Sequence, residues 1–316
     1  MKNLKSNEKN LDIFQKEYET GKMLVEYGNE FALSINTFNA YELDLFLSLL
    51  YSARKLVKDH MKISETENLM LELPYSMLSK VLQGNTSLER LGKGLLKIFN
   101  TNIFFKKQDY IEVKHIFETL SYNKKTSVVT FELKKEYIHI FFNLTGNFTQ
   151  HEILEFTSFK GKYTKKIYQI IMAHKFLKKK EFSIELFKKI LDVPQSYDWT
   201  DIRERVILQS QKEFQGTNIE NFEVEKIKEG KKITKIILHW DIKEPEIIKE
   251  LDDILYPKEQ SKTKDFDYIS KEDEEKAIKQ LESQGMHREF LGEMKRISKT
   301  MYYNTLKNCL EGSKWI

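Results

Sequence analysis

The sequence predicts an α+β protein: two tandem winged-helix domains, each a helix-turn-helix with a β-wing, followed by a mainly helical C-terminal extension. Three observations carry that reading. Residues 161–240 run helix, helix, helix, hairpin, and the same order of elements recurs in the first half of the chain. Positive charge gathers in the second run. Residues 159–240 hold 18 Lys and Arg against 11 Asp and Glu, a net of +7, whereas residues 1–158 hold 20 against 20 and residues 241–316 hold 14 against 17. The whole 316-residue chain carries only +4, so the placement of the charge, more than its amount, marks a face suited to nucleic acid.

The expected segments are 1–20, a loose charged N-terminus; 21–146, winged helix 1; 147–243, winged helix 2; and 244–316, the extension. In the first domain Phe38-Asn39-Ala40 precedes a strong helix with Leu43, Phe46, Leu47, Leu50 and Val57 on its buried stripe. Leu71–Leu73 reads as a short strand. Pro74 suits a first helical turn, giving a second helix over Tyr75–Leu82 that ends near Gly84. Thr86 or Ser87 caps a third helix, with Leu88, Leu91, Leu95, Ile98 and Phe99 inward and Arg90, Lys93 and Lys97 outward. Strands follow at 103–105, 110–113, 117–122 and 127–131, the last two joined by the turn Asn123–Thr126. A helix around 134–142 and the apolar segment 147–159 join the halves through a packed interface.

In the second domain Tyr163, Ile167, Ile170, Ile171 and His174 share one face of a helix whose other face carries Lys162, Lys165, Lys166 and Gln169. Ser183 caps a short helix that buries Leu186, Phe187, Ile190 and Leu191 and stops before Pro194. Thr200 is the expected N-cap of the third helix. There Val206, Ile207, Ser210 and Phe214 face inward while Arg205, Gln209 and Lys212 face outward; regular helical spacing turns Arg203 toward the apolar side. Arg and Gln make the two-point hydrogen bonds that distinguish guanine and adenine edges in the major groove. Strands at 219–227 and 231–240 flank the turn Lys228-Glu229-Gly230, placing Lys228, Lys231 and Lys232 where a wing meets phosphates. Any one of these lysines also suits an ordinary solvated surface; the whole arrangement favours duplex DNA. In the extension, 245–255 reads as a short helix, 257–267 as a linker, and Ser270 as the cap of a helix reaching Ser283. Residues 287–310 read as one or two further helices with the stripe Leu291, Met294, Ile297 and Met301.

Enzymatic readings fail on spacing, and a non-enzyme without cofactor or metal is expected. Gly92-Lys93-Gly94 lacks the hydroxyl of a phosphate-binding loop. His151-Glu152 has no second histidine four residues after the first, and the seven histidines are scattered. Tyr163 and Lys166 match the Tyr-x-x-Lys pattern of rolling-circle nicking enzymes, but the metal-binding histidine pair those enzymes need does not occur. Cys309 stands alone, excluding an intramolecular disulfide. Met1–Asn10 has no apolar signal core and no apolar run approaches membrane-spanning length. A cytoplasmic protein is expected, without a membrane partner, and the Lys, Asn and Ile content points to a low-GC bacterium.

The order and spacing of Tyr163-Thr164-Lys165-Lys166-Ile167-Tyr168, Leu191-Asp192-Val193-Pro194-Gln195-Ser196-Tyr197, Val206-Ile207 and Lys212-Glu213-Phe214 resemble the second winged helix of plasmid replication initiators. The family is that of the iteron-binding Rep proteins, RepA/RepE-like. Leu24-Val25-Glu26 and Leu88–Phe99 are similar to its first winged helix, so the resemblance covers roughly residues 22–242. Ser210 stands where the family often has alanine and Phe214 where it often has isoleucine; both keep the buried face.

That resemblance implies a protein that binds directly repeated origin DNA as a monomer, with both winged helices on successive major grooves. It further implies dimers joined through the first winged helix that repress the protein's own gene, opening of adjacent AT-rich DNA, and recruitment of a host initiator and the replicative helicase. Carried onto this chain, Arg203, Arg205, Gln209 and Lys212 form the base-reading set. Lys162, Lys165, Lys166, Lys228, Lys231 and Lys232 contact the backbone, and Ser87, Arg90, Lys93 and Lys97 serve the first module. Two alternatives share parts of this sequence: a winged-helix transcriptional regulator, and a rolling-circle nicking enzyme.

Overall fold

Asn39 opens α2 (Ala40–Leu56) with a reciprocal capping box. Its side chain accepts from the Glu42 amide at 3.0 Å while the Glu42 carboxylate accepts from the Asn39 amide at 2.9 Å, satisfying donors that a helix start leaves unpaired. The computed structural model describes residues 3–5, 23–57, 63–82, 87–106, 111–144, 148–243, 270–283, 288, 291 and 306. Residues 1–243 form one compact unit and 244–316 another.

In the first module α2 is followed by β3 (Leu69–Pro74), α3 (Tyr75–Val81) and α4 (Leu88–Asn100). Ser87 caps α4 by accepting from the Arg90 amide at 3.2 Å. Two small hairpins come next, β4 (Ile103–Lys106) with β5 (Ile111–Lys114) and β6 (Phe117–Asn123) with β7 (Val128–Leu133). The strand between the first two helices joins the wing: β3 pairs antiparallel with β7. Three differences from the sequence reading appear here. Pro74 ends β3 and caps α3 instead of lying within its first turn. Leu88 points to solvent at 44 % exposure, because the apolar stripe of α4 begins at Leu91. At the N-terminus Asn3–Lys5 is no loose segment but a strand, β1, pairing parallel with β3.

A short helical turn (Lys135–Tyr137) and α5 (Ile138–Phe141) lead to β8 (Phe148–Glu152), which folds back to pair with β2 (Leu24–Gly28), and then to α6 (Ile153–Ser158). The chain before α2 also holds α1 (Asn29–Ala32).

The second module repeats the plan with α7 (Lys162–Ala173), β9 (Lys179–Ser183) and α8 (Ile184–Leu191). A continuous helix over 199–214 follows, made of α9 (Trp199–Ile202), a π-helical segment (Arg203–Ile207) and α10 (Leu208–Phe214). The wing is β10 (Ile219–Glu229) and β11 (Lys232–Ile242), and β9 pairs with β11 as β3 pairs with β7. The strand β9 escapes sequence reading because only Phe182 among its five residues is buried, so Lys179-Lys180 looks like a solvated run. The wing turns at Gly230-Lys231, with Gly230 at φ +62°, a region open to glycine. Asp198, not Thr200, caps the third helix by accepting from the Asp201 amide at 2.9 Å.

One apolar core runs through both modules, from Met23 to Trp240. Its centre is α7, packed against α1 and α2 of the first module and α8 and α10 of its own. A helix covered on every side has no solvent face, so the two-faced reading of α7 fails at the residues below. In the C-terminal unit Ser270 caps α11 (Lys271–Ser283), accepting from the Asp273 amide at 3.1 Å. The expected helix at 245–255, the linker at 257–267 and most of the 287–310 stripe lie outside the described residues; within the stripe Leu291 is buried.

Candidate nucleic-acid interface

The helix over 199–214 splits cleanly by exposure. Ile202, Val206, Ile207, Ser210 and Phe214 are buried against the module, while Arg203, Arg205, Gln209 and Lys212 are exposed. Arg203 therefore faces outward, against the expectation from regular spacing. The π-helical turn over 203–207 inserts an extra residue into the winding and rotates the residues before it away from their 3.6-residue positions.

Two donors on this face, Arg205 and Gln209, have a defined setting. Arg205 Nε lies 3.1 Å from Asp201 Oδ1, its guanidinium sits 5.2 Å from the Tyr197 ring centre, and Nη1 reaches the Tyr197 hydroxyl at 3.4 Å. The Tyr197 hydroxyl and Asp201 hold the Arg205 guanidinium above its ordinary pKa. Gln209 donates to Glu213 at 2.9 Å. Glu213 also accepts from the Lys160 and Gly161 amides at 2.7 and 3.2 Å, so the end of the exposed helix ties down the start of α7. At the wing Lys228, Lys231 and Lys232 are exposed, with Lys232 Nζ 3.9 Å from Glu185. Lys226 Nζ lies 5.4 Å from the Trp199 ring centre, linking the wing to the helix start. Ser87, Arg90, Lys93 and Lys97 are exposed along α4 of the first module, and Lys93 pairs with Glu89 at 2.6 Å.

Two of the expected phosphate contacts are misplaced. Lys165 is 0 % exposed: its ammonium lies 2.6 Å from Asp44 of α2 and donates to the Phe156 carbonyl at 2.7 Å. Lys166 is 3 % exposed and donates to the carbonyls of Asn36 at 2.5 Å and Ile190 at 2.9 Å. Both ammonium groups stitch the two modules together and reach no solvent. Burial lowers the Lys165 pKa, brings that of Lys166 down to about 7, and raises that of Asp44 to about 7. Lys162 is half-buried and donates to the Asp192 carboxylate at 3.0 Å and carbonyl at 3.1 Å, so only part of it faces outward. Gln169, also expected outside, is buried and donates to the Tyr27 hydroxyl at 3.1 Å. That hydroxyl lies 2.9 Å from Nε2 of buried His151, whose pKa burial lowers to about 4.

The residues that sequence reasoning missed are the aromatic partners Tyr197, Trp199 and Tyr41. Tyr197 is separated from Arg205 by a helix start, and Tyr41 sits on a different helix from Arg90, so no local spacing links them. Among the described residues no group of three or more His, Cys, Asp or Glu is placed to hold a metal ion, and no helix is long and apolar enough to cross a membrane.

Two family models match this chain: "Initiator Replication protein, WH1" over residues 24–172 and "Initiator Rep protein, WH2" over residues 183–240. Among solved structures the chain is similar to "Crystal structure of Pi initiator protein in complex with iteron DNA". The identity there is 18 %, with 71 % of this chain and 99 % of that one covered, at a TM-score of 0.53. A second likeness, to "Crystal structure of SeMet derivatives of domain2 and domain 3 of RctB", has 7 % identity, 65 % and 83 % coverage and a TM-score of 0.37, too low for a shared fold to follow. No curated protein matches the chain. The two family models together span well over half of the sequence, and the chain belongs to the initiator replication protein family, with its WH1 and WH2 winged-helix domains in tandem.

Proposed function

We propose that this protein initiates plasmid replication by binding direct repeats, iterons, in duplex origin DNA through both winged helices. One observation carries the reading. Arg203, Arg205, Gln209 and Lys212 stand exposed on a helix whose opposite side is buried, with the exposed wing lysines beside them. Such a face offers base-edge donors in the groove and cations at its rim. Family membership and the fold shared with the Pi initiator support the same conclusion.

The protein acts without catalysis. Bound monomers open neighbouring AT-rich DNA and bring in a host initiator and the replicative helicase, in the bacterial cytoplasm. Monomers exchange with a homodimer joined through the first winged helix, and the dimer represses its own gene. The test is fluorescence anisotropy with the full chain and duplexes from its own replicon. Tight, salt-sensitive binding to the repeat array and much weaker binding to a shuffled duplex of the same composition is expected. Equal affinity for both at moderate salt would refute the proposal. A supercoiled origin incubated with Mg²⁺ and protein should stay unnicked, and a covalent tyrosine–DNA adduct would make it an enzyme.

A further inference from the structure

Both modules place a tyrosine under an arginine of the third helix. In the first, Arg90 Cζ lies 4.0 Å from the Tyr41 ring centre. The ring of Tyr41 in turn lies against the backbone of α4: a Cβ at Gly94 would come within 2.8 Å of Tyr41 Cε1. In the second, Arg205 lies over Tyr197 and is held sideways by Asp201. Tyr197 is itself fixed, its amide donating to the Pro194 carbonyl at 3.0 Å and its carbonyl accepting from Lys188 Nζ at 2.6 Å. The two tyrosines come from unrelated places, one from α2 and one from the turn before α9, so the repeated winged-helix plan does not itself produce the match.

From this pairing we infer that Tyr41 and Tyr197 are positioning residues that set base specificity without touching DNA. The inference rests on the reading of the chain as a repeat-binding initiator. Contact with the ring holds the guanidinium in one orientation. In the second module Arg205 Nη1 and Nε also meet the Tyr197 hydroxyl and Asp201, so a purine edge is read by the donors those two contacts do not use. An arginine already ordered over a ring loses less rotamer freedom on binding, and an arginine released from it reads a base with less discrimination.

The experiment uses the full chain and repeat duplexes in which 7-deazapurine replaces each purine in turn, removing one N7 acceptor at a time. For the native protein the substitution read by Arg205 should weaken binding about tenfold. Tyr197→Leu should shrink that penalty to about threefold or less at that position alone, leaving the salt slope unchanged. Tyr197→Phe, which keeps the ring, should retain most of it, and Tyr197→Leu added to Arg205→Ala should change nothing further. Tyr41→Leu should act in the same way at the position read by Arg90, with Tyr41→Phe as the variant that keeps the packing against Gly94. Full penalties in both leucine variants, or no penalty at any purine for the native protein, overturns the inference while repeat binding stands. Native protein that does not prefer repeats to shuffled duplex overturns the functional reading first.

Discussion

At the scale of single residues, exposure decides which cations can serve DNA. Arg203→Ala and Arg205→Ala are each expected to weaken binding to the repeat by about tenfold and shuffled duplex far less. Lys231→Ala should weaken both equally and lower the slope of log affinity against log salt by about one; anisotropy titrations across salt separate the two behaviours. Lys165 belongs to neither class. Lys165→Met strands the half-buried Asp44 carboxylate and should cost about 3 kcal/mol of stability without changing the salt slope, whereas Lys165→Met with Asp44→Leu should recover most of the loss. Denaturant midpoints and salt slopes of the same preparations check both statements. His151 gives a pH signature. Its Nδ1 lies 3.2 Å from the Glu152 carbonyl and its Nε2 faces the Tyr27 hydroxyl, an arrangement that suits the neutral ring. With a folded pKa near 4 against the ordinary 6.5, its contribution is complete above pH 6.5 and is lost as the pH falls toward 4. Across that window His151→Gln should narrow its stability gap to the native protein by roughly 3 kcal/mol. Urea titrations of the two proteins at pH 7, 5.5 and 4.5 measure it, and a constant gap would contradict the assignment.

At the scale of elements, periodicity read in the sequence found the helices and wings, because amphipathic stripes such as Leu91, Leu95 and Ile98 on α4 are written locally. What it could not show depends on partners far along the chain. The face of α7 bearing Lys165, Lys166 and Gln169 looks polar in sequence and is buried in the fold, because Tyr27, Asn36 and Asp44, a hundred and more residues earlier, meet it. The strand β9 is legible only once β11 lies beside it. The outward turn of Arg203 comes from a π-helical segment, whereas a regular spacing rule assumes uniform winding. The exposure of Arg205, Gln209 and Lys212, of the wing lysines and of Ser87, Arg90, Lys93 and Lys97 could thus be read in advance. The supporting tyrosines could not. Packing between α2 and α4 makes its own prediction. Gly94 admits no Cβ without a 2.8 Å approach to both Tyr41 and Leu45, so Gly94→Ala should destabilise the protein by about 1–3 kcal/mol despite the better helix propensity of alanine. Thermal melts read the sign directly; a stabilised variant would show that α2 and α4 can part.

At the scale of the whole molecule, residues 1–243 share one core across the two modules, in line with the packed join expected between them. They should therefore unfold together: hydrogen exchange in α2 and in β11 should report the same global opening free energy, and separate values would mean that the modules part first. Two of the cations behind the +7 of residues 159–240, Lys165 and Lys166, are held inside the joint, and the rest of that charge lies outside it. The joint has a consequence for the DNA. On the function proposed above, two reading heads clamped through Lys165 and Lys166 meet the double helix with a fixed stride. A repeat stretched by about five base pairs between its halves carries the second site round to the far side of the cylinder, beyond the reach of a body that cannot flex to follow it.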